Sequence, residues 1–162
     1  MIPKIKKILY ATDLSQNARH AFGYAASLAN QYGGKITLLH VFEELPHSAQ
    51  MRVAAIVGKE KWNEMVKDNE EEALNTMRNQ LEDFCNEMSN ELAECPFIVE
   101  NICVTQGIPA EEILDQSTKE PFDLIVMGTR GHGLIGNALM GSVARRVVRR
   151  SKIPVLVVRL AE

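Results

Sequence analysis

Short apolar runs alternate with stretches of helical spacing along this chain, and that alternation restricts its possible folds more than any other feature. Ile8-Leu9-Tyr10-Ala11 ends abruptly at Thr12-Asp13 and reads as a buried strand. From Ser15 the apolar positions change to Ala18, Ala21, Phe22, Ala25, Leu28, Ala29 and Tyr32, the spacing of a helix face. Ser15 is suited to cap that helix and Gly33-Gly34 to end it. A second strand follows at Ile36 to Phe42. Glu43 to Val57, which contains Pro46, reads as a long loop with a helical turn around Met51 to Ile56.

A long helix is predicted from about Lys59 to Glu94. Trp62, Met65, Val66, Ala73, Leu74, Met77, Leu81, Phe84, Cys85, Met88 and Leu92 form its apolar stripe. The irregular spacing favours packing against a core over a heptad seam or a cofactor box. Phe97 to Thr105 is the third strand, with Glu100 and Asn101 suggesting a sheet edge. A short helix opens at Gly107-Ile108-Pro109 and stops before Pro121. Asp123 to Met127 is the fourth strand and runs into a glycine-rich loop. The last helix runs from near Gly141-Ser142 to Arg150, and Ile153 to Arg159 is the fifth strand.

Strands that are apolar on both faces and alternate with helices imply a mostly parallel sheet covered on both sides. In such an α/β sheet a ligand binds beyond the carboxyl ends of the strands, where the strand order switches. Thr12-Asp13 and the glycine loop are therefore the segments expected to carry function.

Composition narrows the classes. The 162 residues suffice for one domain, spanning 1–162, with an aliphatic core, since only 6% are aromatic. A net charge of −3 argues against a general nucleic-acid binder. The basic N-terminus precedes too short an apolar run for a signal peptide, and no run reaches membrane-spanning length. Cys85, Cys95 and Cys103 form no C-x-x-C pair and read as reduced thiols of a cytoplasmic protein.

The loop runs from Gly128 to Ser142. Phosphate binding needs inward-facing N–H groups, no obstructing Cβ, and a helix N-terminus. The P-loop signature G-x-x-x-x-G-K-[ST] is absent. Gly131, Gly133 and Gly136 satisfy G-x-G-x-x-G by letter. However, that run follows the fourth strand, and no acid lies between Gly128 and Glu162 to hold a ribose, which argues against a nicotinamide cofactor. The third pattern, G-x2-G-x9-G-[ST], is met in full by Gly128, Gly131, Gly141 and Ser142.

With that pattern the chain closely resembles the universal stress protein family, specifically its ATP-binding branch. The resemblance includes Ile8 to Ser15, Thr37-Leu38-Leu39-His40-Val41, Asp123 to Gly131, Gly141-Ser142-Val143-Ala144 and Ile153 to Val158. Ala11 departs from the proline of many members. The resemblance implies an open five-stranded parallel sheet of order 3-2-1-4-5 with helices on both faces, Rossmann-like and of the adenine nucleotide alpha hydrolase type. It implies ATP, or AMP or ADP, across the ends of strands one and four. Thr12, Asp13 and Val41 would face adenine and ribose. Gly128, Arg130, Gly131, Gly141, Ser142 and Val143 would line ribose and phosphates. Any Mg2+ would ride on the phosphates rather than in a protein cage. The resemblance also implies a homodimer, with the apolar last strand pairing around Val155 to Val158.

No catalytic constellation accompanies the loop: G-x-S-x-G and H-E-x-x-H are absent. A nucleotide-dependent sensor or switch is therefore favoured over a slow ATPase or nucleotidyl transferase on the same layout. His40 reads as a satisfied core histidine. His132 is either a phosphate contact or an exposed loop residue. Arg145, Arg146, Arg149, Arg150 and Lys152 read as a solvated face complementing a helix dipole.

Overall fold

The computed structural model describes residues 1–87, 90, 95, 98–129 and 140–159. Its elements follow in the order β1 (Lys7–Thr12), α1 (Gln16–Tyr32), β2 (Lys35–Glu43), α2 (His47–Val57), α3 (Lys59–Glu87), β3 (Val99–Gly107), α4 (Pro109–Lys119), β4 (Leu124–Gly128), α5 (Ser142–Arg150) and β5 (Val155–Val158). The strands form one sheet in the order β3-β2-β1-β4-β5, with every neighbouring pair parallel. β1 is central. Its Ile8 stands opposite Ile36 on one side and Leu124 on the other.

Side chains alternate across a strand, so each strand feeds two cores. Ile8, Tyr10, Leu38 and Val126 point into one, which α1 and α3 close with Ala21, Ala25, Met77 and Phe84. Leu9, Leu39, Ile125 and Met127 point into the other, which α4 and α5 close with Ile113, Ala144 and Val147. Buried alanines at positions 21, 25, 26 and 29 let α1 lie close on the sheet. Tyr10 strengthens that contact, its hydroxyl donating to the Ala18 carbonyl at 2.5 Å.

Capping follows the sequence. The Ser15 hydroxyl accepts from the Ala18 N–H at 3.2 Å, and Gly33 ends α1 in the left-handed region at φ 60°. Pro109 sits in the first turn of α4.

Residues 47–57 depart from the sequence reading. They form a full helix, α2, rather than a loop with one turn. Pro46 starts it instead of preventing it. None of its residues is buried and it packs on α3, so it lacks the apolar stripe by which a helix is recognised. The stripe of α3 is also only half a core stripe. Ala73, Met77, Phe84 and Cys85 are buried, whereas Met65 is exposed and Trp62 and Val66 are half-buried. A helix of 29 residues is ~44 Å long, against ~30 Å for the longest strands, so its first half overhangs the sheet. Met88 and Leu92, expected to continue that stripe, lie outside the described residues.

β3 spans Val99–Gly107 rather than Phe97 to Thr105, and Phe97 lies outside the described residues. It is an edge, as Glu100 and Asn101 suggested, and both are exposed. The cysteines differ from expectation. Cys85 and Cys95 form a disulfide, their Cα atoms 5.4 Å apart, and Cys103 is free. A spacing of ten residues has no motif of its own.

Candidate functional site

A cavity of about 460 Å3 opens where the carboxyl ends of β1, β2 and β4 meet the first turn of α5. It lies at the switch in strand order, since the chain leaves β1 toward β2 on one side and β4 lies on the other. β1 contributes Thr12 and, just beyond its end, Asp13; β2 contributes Val41; β4 contributes Gly128. Gly141, Ser142 and Val143 close the far wall. These seven are the site residues expected from sequence that the structure describes, and all of them line the one cavity. Arg130 and Gly131, like His132, lie outside the described residues.

The wall at α5 has the chemistry an anion needs. Gly141 occupies the N-cap position and among the described residues no side chain caps the helix, which leaves its first N–H groups to other partners. The segment is held in place by backbone. Gly141 N–H donates to the Thr129 carbonyl at 2.6 Å, and Thr129 N–H donates to the Val158 carbonyl at 2.9 Å. Position 141 is thereby tied to the ends of β4 and β5.

The wall at β1 is a tight turn. Leu14 N–H donates to Thr12 Oγ1 at 3.1 Å. Asp13 Oδ1 accepts from both the Ser15 N–H at 3.0 Å and the Ser15 hydroxyl at 2.6 Å. Asp13 thus braces the residue that caps α1 while lining the cavity. Behind the turn, burial above all raises the pKa of the Tyr10 phenol far beyond its ordinary range and keeps it neutral.

His40 is satisfied as expected, but it is not core. Its Nδ1 lies 2.9 Å from the Thr12 carbonyl, its ring meets Phe42 edge-on at 5.0 Å, and it lines the cavity half-buried. Glu43, Pro109 and Thr129 also line it and were not singled out from sequence. Thr129 lies within the glycine pattern and Pro109 follows a strand end, so position was the available signal for both. Arg146 and Arg150 turn toward Glu111 on α4, Arg146 at 3.7 Å, consistent with a solvated face. Among the described residues no cluster of three metal-ligating side chains occurs, and no helix is long and apolar enough to cross a membrane.

The sheet order and the placement of the cavity together define an α/β domain with a cavity at the carboxyl edge of a parallel sheet. The chain belongs to the universal stress protein family, whose model matches residues 4–159. It is 32% identical over 154 residues to universal stress protein MJ0577 of Methanocaldococcus jannaschii, covering 95% of this chain and 94% of that one. The solved structure of MJ0577 superposes with a TM-score of 0.76 at 30% identity, covering 99% of each chain. Two more distant structures share the fold. One is a universal stress protein in complex with cAMP, with a TM-score of 0.61 at 21% identity over 96% of this chain and 98% of that one. The other is the Archaeoglobus fulgidus protein in complex with dAMP, with a TM-score of 0.55 at 20% identity over the same shares.

Proposed function

We propose that this chain binds an adenine nucleotide, ATP foremost, and acts in the cytoplasm as a nucleotide-dependent switch in stress response. The observation that carries the reading is the convergence of Thr12, Asp13, Val41, Gly128, Gly141, Ser142 and Val143 on one cavity against an uncapped helix N-terminus. About 460 Å3 falls in the ~300–1,000 Å3 range of small-molecule sites. Adenine and ribose would lie against Thr12, Asp13 and Val41. The phosphates would meet the Gly141 to Val143 end of α5, with Arg130 and Gly131 completing the cradle. Mg2+ would enter on the phosphates. Family members crystallised with cAMP and dAMP support an adenine nucleotide as the ligand class.

A switch needs an output, and β5 is the nearest. Gly141 at the phosphate wall is tied through Thr129 to Val158, the last residue of β5. Among the described residues β5 pairs only with β4, so its outer edge is open to a second copy of this chain around Val155 to Val158. Native mass spectrometry of the purified protein tests ligand and assembly together. The expected result is a dimer carrying an adenine nucleotide, or taking one up when ATP is added. A chain that neither retains nor acquires nucleotide would end this reading.

A further inference from the structure

Leu14 is the one non-glycine residue with positive φ among the described residues, at 65°. A leucine side chain is strained in that left-handed conformation and persists there only where its surroundings impose it. Two of the hydrogen bonds around it are internal to the turn, Leu14 N–H to Thr12 and Ser15 N–H to Asp13. Bonds of this kind move with the turn and cannot anchor it. Two contacts come from outside, His40 Nδ1 at 2.9 Å from the Thr12 carbonyl and, at Leu14 itself, Gln80. Gln80 of α3 donates from Nε2 to the Leu14 carbonyl at 3.0 Å, across 66 residues of sequence.

The Leu14 side chain is half-buried against the α1/α3 core, but the turn around it also borders open space. A second cavity of about 90 Å3 lies on the α1/α3 side of the sheet, bounded by Thr12, Ser15, Met77, Gln80 and Asp83 among others. Thr12 therefore stands between two cavities, the larger in front and this smaller one at its back. Packing therefore seats the Leu14 side chain, while a directed bond from Gln80 holds its carbonyl.

We propose that Gln80 is a positioning residue for the nucleotide site. Its amide fixes the Leu14 carbonyl, holds the backbone left-handed at that residue, and so sets the direction in which Thr12 and Asp13 present themselves to adenosine. The inference rests on the nucleotide reading above. It assigns α3 a part in ligand binding although that helix lies on the opposite face of the sheet.

Gln80→Leu removes the donor at nearly constant volume, and Gln80→Glu keeps the shape while replacing the donor by an acceptor. Each is compared with the wild-type chain by calorimetry with ATP and by amide hydrogen exchange at residues 12–15 without ligand. The expected result is a roughly three- to tenfold loss of affinity, the size of one lost hydrogen bond. Exchange should accelerate at Leu14 and Ser15 and not across the sheet. In a Leu14→Gly background, where positive φ carries no steric cost, Gln80→Leu should lose markedly less affinity. Unchanged exchange at the turn, acceleration spread evenly over the molecule, or an equal affinity loss in both backgrounds would overturn the assignment. Should the wild-type chain bind no nucleotide, the proposed function fails on its own, and local exchange in the Gln80 variants still decides whether this residue holds the turn.

Discussion

At the amino end of the sheet the central strands are tied down by one carboxylate, while at the carboxyl end the corresponding polar groups face a cavity. Asp123 Oδ2 accepts from the N–H groups of Lys6 and Lys7 at 2.7 and 2.9 Å, and Asp123 N–H donates back to the Lys7 carbonyl at 2.8 Å. Lys6 accepts from Lys35 N–H at 2.8 Å and sends its ammonium to the Tyr32 carbonyl at 2.6 Å. Gly34 is packed so closely there that a Cβ would stand 2.9 Å from the Ile5 carbonyl oxygen. At the other end α5 starts without a side-chain cap and Leu14 is strained. On the proposed function the difference separates stability from binding in space. Polar groups satisfied within the chain hold the strands at one end, and the groups proposed to meet a nucleotide lie at the other, where proteins commonly give up stability for function.

Substitutions at the two ends should therefore have opposite signatures. The largest effect is expected from Gly131→Val, which would set a branched side chain where backbone approaches phosphate. Calorimetry should find ATP binding abolished and melting little changed; unaltered affinity would remove Gly131 from the site. Asp13→Ala comes next. Loss of a charge-assisted hydrogen bond, ~1.5–3 kcal/mol, corresponds to roughly ten- to hundredfold weaker ATP binding. A large fall in melting temperature with affinity intact would reduce Asp13 to a brace for Ser15. Asp123→Ala should invert that result, costing about 2 kcal/mol in urea unfolding for its bonds to backbone N–H groups, with ATP affinity unchanged. Weakened ATP binding in that variant would mean the two ends are not independent.

The smallest effect is expected from the Lys7–Glu120 pair, 3.0 Å apart on the surface of the amino end. The hydrogen bond that Lys7 donates to Glu120, and then the carboxylate's charge, raise the Lys7 pKa above 10.5. A raised folded-state value means the contribution is complete below the unfolded value and is lost only as pH climbs through the folded one. Glu120→Gln should accordingly give a small shift in melting temperature that is constant from about pH 6 to 9, because exposed pairs contribute little and Lys7 stays charged there. A shift that varied across that window would show that another group titrates with the pair.

β1 and β4 could be read because each is a compact apolar run that ends on a chemically distinct residue, β1 at Thr12-Asp13 and β4 at Gly128, whereas the strand order came from the family resemblance. The site was readable where residue type carries the reason, as with Gly141-Ser142 at a helix start. Elsewhere the reason was tertiary. α2 has no buried face to leave a periodic trace. Cys85 and Cys95 pair across a spacing that matches no cysteine motif. Nothing about leucine announces positive φ, and nothing about Gln80, one amide among the polar residues of α3, announces a partner 66 residues away.

The central position of β1 also has a consequence during synthesis. Its first partner, β2, emerges soon after it, but β4, which covers its other edge, is made more than a hundred residues later. At roughly 5–20 residues per second, that edge waits about 5–20 s on the ribosome with its row of backbone donors and acceptors unpaired. An apolar strand left open for so long invites mispairing with other chains. Assembly of this molecule therefore depends on what shields Ile8 to Ala11 until the second half of the sheet arrives.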